Sequence, residues 1–222
     1  MELIGDVAQA LPQLLDGFAL TALITLLAGL GALLLSVPLV AGRRSSIRSL
    51  RLAVIGYVWI FRALPIVILV FLLYFGLPAA FDLGRLSAFW VGVATLALNG
   101  AAFMSEVWRG AIATVGSGQF EAAKALGLKP LARWRRVILP QVVPVALPPL
   151  IGELTFLVKA SPVLSLITLV DLTRRAQQVS MATFDPLAPM LAAALLYFLL
   201  LFSLSRLGQR LERRLKAPGR AA

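Results

Sequence analysis

The chain contains no cysteine and no histidine. Without cysteine it can form neither a disulfide nor a thiolate metal site. Without histidine it cannot build a Ser-His or Cys-His nucleophilic pair, nor a histidine metal centre. Charge is also scarce: Asp, Glu, Lys and Arg make up 14% of 222 residues, where a soluble domain carries about a quarter. Acidic groups are scarcest, with 10 carboxylates against 21 Lys and Arg. The opening residues Met1-Glu2-Leu3-Ile4-Gly5-Asp6 lack a basic segment, which argues against a cleavable signal peptide.

What the chain has is apolar residues in long runs, 60% of its composition, with a mean hydropathy of +0.91. The core of one small domain cannot bury such runs, so their solvent is lipid. Five runs are long enough to cross a bilayer, which takes ~20 helical residues. They are Leu14 to Ala41, Leu52 to Phe75, Leu86 to about Val107, Val137 to Val158, and about Leu187 to Leu207. The apolar stretch Val163 to Val170 is too short to span and reads as an interfacial or re-entrant piece. The polar segment Asp171 to Asp185 is placed at that same surface. No internal repeat of solenoid period is present.

The net charge of +11 does not describe a nucleic-acid face, because the basic residues sit in short stretches between the apolar runs. One side of the membrane receives Arg43, Arg44, Arg48 and Arg51, the stretch Arg109 to Arg136, and the tail Arg206, Arg210, Arg213, Arg214, Lys216 and Arg220. The other side receives only Arg85, Lys159, Arg174 and Arg175. The asymmetry places the first set in the cytoplasm, the N-terminus outside and the C-terminus inside. The division expected is a membrane domain over residues 14–207 with a large cytoplasmic loop at 118–140. A basic tail follows at 208–222, and its leucines at helical spacing extend the last helix.

That loop reads as a short helix, a stop and a second basic element. Glu121-Ala122-Ala123-Lys124-Ala125-Leu126 are strong helix formers. Glu121 is expected in the first turn, where a negative charge suits the helix dipole. Gly127 can take the left-handed conformation that closes a helix, and Pro130 can open the next. Ala122 and Ala123 allow close approach by another protein, and Phe120, Leu126, Leu128 and Trp134 offer apolar groups to bury. An amphipathic loop helix lying on lipid is the alternative.

The spacing Glu121-Ala122-Ala123, Gly127, Val137, Leu139-Pro140 resembles the EAA loop of ABC importer permeases, with Val137 where Ile is commoner. Tyr57 to Pro65, Glu106 to Ile112, Leu147 to Leu150 and Asp171 to Gln177 resemble further segments of the polar amino-acid permease family. Departures fall at Ile151-Gly152-Glu153 and at Lys159-Ala160-Ser161-Pro162. There the family often shows Gly-Asn-Glu and Lys-Asp-Thr-Ser. The resemblance implies an all-α, type I (MetI-like) permease fold and a transport role for amino acids or related small polar solutes. It also implies no enzymatic activity and no cofactor or metal in this chain. The implied partners are a cytoplasmic ATPase subunit, a second permease chain and a periplasmic solute-binding protein. Gln119, Glu121, Ala122, Ala123, Gly127, Leu139 and Pro140 are the residues implied in ATPase coupling. The chain lacks a Gly-x4-Gly-Lys-Ser/Thr phosphate loop, so the ATPase is another chain.

Charged or broken positions within the runs mark the candidate pathway. Arg62 lies eleven residues past Arg51, ~16 Å of helix, near the middle of a ~30 Å core. Such an arginine faces protein or water, and Pro65 loosens the helix beside it. It touches solute or gates the path, or it pairs with a carboxylate or backbone carbonyls. Glu153, about sixteen residues beyond Val137, is placed towards the outer half, to meet a solute ammonium or to neutralise Lys159 or Arg62. Pro140, Pro144, Pro148 and Pro149 imply either an irregular cavity-lining helix or one curved, packed helix. Asn99 is a fourth pathway candidate, with an interhelical bond as its alternative role. Glu106 and Arg109 are expected to pair locally at i, i+3. A lipid-modifying enzyme would need clustered carboxylates, whereas those here are scattered. An ATP-independent channel explains the helices but not the spaced loop.

Overall fold

The computed structural model describes residues 2–215, and all regular structure among them is helical. Helix α1 (Glu2–Arg43) is followed by α2 (Arg48–Ala63), α3 (Ile66–Phe71), a π-turn at Leu72–Gly76 and α4 (Leu77–Phe81). Next come α5 (Ala88–Ala113), α6 (Ser117–Ala125), α7 (Pro130–Arg133) and a second π-turn at Trp134–Ile138. The chain then forms α8 (Leu139–Ala160), a 3-10 turn at Ser161–Ile167, α9 (Leu172–Thr183) and α10 (Leu187–Leu215). Four helical runs are long and apolar enough to cross a membrane, and the bent pair α2 with α3–α4 makes a fifth span. The part of the basic tail from Lys216 onward lies outside the described residues.

Helix α1 begins well before the apolar run at Leu14. Its N-terminal end is held by protein rather than lipid: Ala10 and Leu14 pack with Leu172, Ala176 and Ala193 of α9 and α10. Lower down, α1 lies along α5 through small residues. A methyl group on Gly100 would stand 3.0 Å from the Ala32 side chain, and one on Gly31 would stand 3.1 Å from that of Ala97. Without such residues the backbones could not approach this closely. The outward faces carry Leu26, Leu30 and Leu34 on α1 and Phe198 and Phe202 on α10, all exposed. An apolar exterior around a packed interior suits lipid as solvent.

The second span is not one helix. It bends by 110° between Ala63 and Ile66. Pro65 accounts for the break: the residue before a proline avoids the helical region, and Leu64 is extended, with φ −81° and ψ 135°. Proline also lacks the N–H that would bond the Phe61 carbonyl four residues back. The side-chain amide of Asn99 donates to that carbonyl at 2.7 Å instead. Next to it the Tyr57 hydroxyl donates to the Leu98 carbonyl at 2.6 Å. Helix α5 thus supplies the missing donor and clamps α2 at its bend.

The proline-rich α8 is continuous through Pro144, Pro148 and Pro149. Helix, π-turn and 3-10 turn form a single run of 38 residues from Pro130 to Ile167. In the stretch Val163 to Val170, expected to be interfacial or re-entrant, Leu164, Ile167 and Leu169 enter the core while Leu166 and Val170 are exposed. From there the chain passes into α9, whose N-cap Asp171 accepts from the Arg174 N–H at 2.9 Å. Thr21 of α1 accepts from the Leu172 N–H at 3.0 Å. Gly17 leaves room for this docking, since a methyl group there would lie 2.9 Å from the Asp171 carbonyl.

Candidate functional site

The loop between α5 and α8 folds into a compact element. Helix α6 starts at Ser117, so Glu121 falls in the second turn rather than the first; the dipole argument for it does not apply. Gly127 closes the helix as the sequence requires. Its φ is +70°, its N–H bonds the Lys124 carbonyl at 3.0 Å, and the Leu128 N–H bonds the Ala123 carbonyl at 3.2 Å. These two bonds form a Schellman stop. Pro130 then opens α7 at its first position, where its missing N–H costs nothing.

The element has two faces. Phe120 and Trp134 turn inward as an edge-on pair with centroids 6.3 Å apart, and Arg44 stacks over Trp134 at 5.7 Å. Both are half-buried against the main core, so only part of each ring is left for a partner. Ala123 is buried with them at 3% exposure. Gln119, Glu121, Ala122, Gly127, Leu139 and Pro140 are exposed. Leu126 and Leu131 are each 79% exposed; sequence reasoning had not singled out Leu131. Two bare leucines flanking a rigid turn form an apolar grip beside a carboxylate.

The second group of candidates lies where α1, α2 and α5 meet. Glu106 pairs with Arg43, with Arg109 at 2.8 Å and with Arg62 at 3.9 Å. The local Glu106–Arg109 pair is present, but as one arm of a cluster joining three helices. Arg62 also lies over the Phe103 ring at 5.2 Å. A cleft of about 380 Å³ is lined by Arg43, Val58, Trp59, Arg62, Phe103 and Glu106. Two guanidiniums, Arg43 and Arg62, share one carboxylate along it, and Arg109 binds that carboxylate from outside the lining, so the cleft carries net positive charge. Arginine holds its charge in any such setting.

Of the four pathway candidates, two meet here. Arg62 lines the cleft, and Pro65 makes the bend beside it. Asn99 is 3% exposed and spends its amide on the Phe61 carbonyl, the alternative role of an interhelical bond. Glu153 is half-buried and makes no ion pair within 4 Å among the described residues, but the charge of Arg62 acts on it across a longer gap. Nearby Ile151 abuts Gly208, in the arginine-bearing end of α10. Leu154, the residue after Glu153, lies against Gly29 of α1. The His/Cys/Asp/Glu groupings needed to hold a metal are absent among the described residues.

Residues 35–217 match the family described as "Binding-protein-dependent transport system inner membrane component". The chain is 34% identical over 207 residues to the arginine transport system permease protein ArtQ of Bacillus subtilis, covering 93% of this chain and 94% of that one. It is 33% identical over 210 residues to the nopaline transport system permease protein NocM of Agrobacterium fabrum, covering 90% and 87% of the two chains. Among solved structures it superimposes on a chain of "an amino acid ABC transporter with histidines" with a TM-score of 0.84 and 32% identity, over 91% of this chain and 94% of that one. A chain of the MetNI methionine ABC transporter, 22% identical, shares the fold with a TM-score of 0.76 over 92% and 97%.

The protein belongs to the family of inner-membrane permeases of binding-protein-dependent importers. It is a multi-pass membrane permease subunit of an ABC importer, with the MetI-like fold. The family is one of transport subunits rather than enzymes, and ATP hydrolysis resides in a separate subunit.

Proposed function

We propose that this chain forms half of the translocation pathway for an amino acid or a related small zwitterion. On this reading it pairs with a second permease chain, receives solute from a periplasmic binding protein, and is driven by a cytoplasmic ATPase seated on the loop at 118–140. The N-terminus lies outside and the C-terminus in the cytoplasm, as the arginine distribution favours.

The observation that carries the proposal is the two-faced loop. Its inner face (Phe120, Ala123, Trp134) is turned to the main core. Its outer face presents Glu121, Ala122, Leu126 and Leu131 with nothing packed on them. A rigid knob anchored from behind transmits force, whereas a helix lying on lipid would turn its apolar side chains to one plane. The solute class rests on the relatives' transport of arginine and nopaline and on the charges of the pathway. The guanidiniums by Arg62 suit a carboxylate, and Glu153, which no ion pair within 4 Å holds, suits an ammonium. Along α8, Pro140, Pro144 and Pro148 recur every four residues. The backbone carbonyls they leave unpaired therefore share one face. Pro140 and Pro148 are exposed there, on the side a second permease and the solute would meet.

The test is isolation of the tagged chain with its neighbours from native membranes, followed by reconstitution. An ATPase subunit should copurify, and a binding protein loaded with amino acid should raise ATP hydrolysis several-fold. Recovery of the permease without an ATPase, or labelling of residues 118–140 from the external face, would overturn the assignment.

A further inference from the structure

A groove of about 500 Å³ runs between α1, α8 and α10, apart from both the α5–α8 loop and the cleft. Its walls are aliphatic, among them Leu26, Leu30, Leu154, Leu204, Leu207 and Leu211. Thr25 and Ser203 are its only polar lining residues, and the Thr25 hydroxyl is already spent on the Thr21 carbonyl at 2.8 Å. A zwitterionic solute would find no partner for either charge here. A long hydrocarbon chain would lose nothing by entering.

Length and polarity narrow the occupant further. On α10 the lining runs from Leu200 to Leu211, and on α1 from Ala22 to Leu33, each ~16 Å at 1.5 Å per residue. One leaflet of a ~30 Å hydrocarbon core is about that deep. Gly208 marks a close contact beside the groove: a methyl group there would lie 2.7 Å from the Ile151 side chain, so α10 touches α8 at that level. Beyond it the groove-facing stripe Leu207, Leu211 continues at helical spacing to Arg214, and Arg210 borders it one turn after Leu207. Both arginines are exposed, and neither makes an ion pair within 4 Å among the described residues.

We propose that this groove is a binding site for an anionic phospholipid. One acyl chain lies between α1, α8 and α10, and the headgroup phosphate is held by Arg210 and Arg214. Arginine is the side chain best suited to a phosphate at an interface. A neutral lipid satisfies the groove but leaves the guanidiniums without a counter-charge. A second copy of the chain would satisfy the leucines but brings arginines against arginines at this end. The site depends on no assumption about the solute or the ATPase.

The test uses the intact complex in mixed phosphatidylglycerol and phosphatidylcholine bilayers, with retained lipid counted by native mass spectrometry. Retention of phosphatidylglycerol over phosphatidylcholine by fivefold or more is expected. The Arg210→Gln, Arg214→Gln double variant should bring the ratio to about one. Ser203→Phe, which fills the groove, should lower retention of both lipids while Arg210 and Arg214 remain. Equal retention of the two lipids by the wild type would overturn the proposal, and so would an unchanged preference in the double variant. Cross-links from Ser203→Cys to a second permease chain would do the same. The wild-type ratio decides the matter even if a variant fails to assemble.

Discussion

The loop between α5 and α8 and the α1–α2–α5 junction are both charged, both near the basic side, and built in opposite ways. The loop is local: Gly127, Leu128 and Pro130 define its stop and restart within four consecutive positions, through bonds spanning no more than five residues. The junction is assembled from afar. Glu106 gathers Arg43 and Arg62, and Asn99 reaches Phe61 across 38 positions. The loop's stop and restart are set by bonds within the loop itself. The junction exists only while three helices keep their places, so it is where a change of conformation is felt.

The largest effect should come from disrupting the loop. Gly127→Pro removes the left-handed stop, because proline cannot adopt φ +70°. Glu121→Lys reverses the charge on the exposed face. Each should abolish solute uptake while membrane insertion stays intact. Uptake in cells, together with ATPase activity of the reconstituted complex, checks this, and normal coupling in both would remove the loop's role. Next in size, Arg62→Ala and Glu153→Ala should each lower uptake several-fold without releasing the ATPase subunit. Unaltered uptake kinetics in both would return the two residues to a purely structural role.

A smaller effect is expected at the clamp behind the bend. Asn99→Ala leaves the Phe61 carbonyl without the donor that replaces Pro65, a loss of about 1–3 kcal/mol for a buried unpaired group. The readout is a lower unfolding midpoint in detergent. Pro65→Ala, which restores a backbone N–H, should recover part of it. No difference between Asn99→Ala alone and the pair would show that the two are not coupled.

The smallest effect concerns Asp171, outside the spans. Burial pushes its carboxyl up from 3.8 to about 6, against the hydrogen bonds from the Arg174 and Thr173 backbone that lower it. A folded-state value above the unfolded one means that the folded state binds the proton more tightly. The associated stabilisation is full below pH 3.8 and is lost as pH rises through about 6. Asp171→Asn keeps a cap acceptor and removes the charge. Its thermal midpoint should therefore change less than that of the wild type between pH 4.5 and 7.5, and at pH 7.5 should equal or exceed it. Parallel pH profiles would contradict the assignment.

The same division governs what the sequence reveals. The spans follow from hydropathy, and the loop's helix, stop and restart follow from residues whose chemistry acts on their own backbone. The long start of α1 was hidden because its N-terminal end is covered by α9, and coverage by a distant helix leaves no apolar run. Pro65 announced a disturbance. The 110° bend also needed an amide donor from α5, and nothing near Pro65 encodes it. That Phe120 and Trp134 turn towards the core was not legible, because composition cannot say which side of a loop faces home. Glu106 looked like half of a local pair because i, i+3 spacing is visible and contacts 44 and 63 positions away are not.

The run from Pro130 to Ile167 has a mechanical corollary. At 38 residues its length is roughly 55 Å by helical rise, well beyond the thickness of the hydrocarbon it crosses. Ile151 against Gly208 and Leu154 against Gly29 grip it close to its midpoint. A stiff bar pivoted there behaves as a see-saw: a push sideways on its basic end swings the opposite end the other way, with no relay of side chains in between.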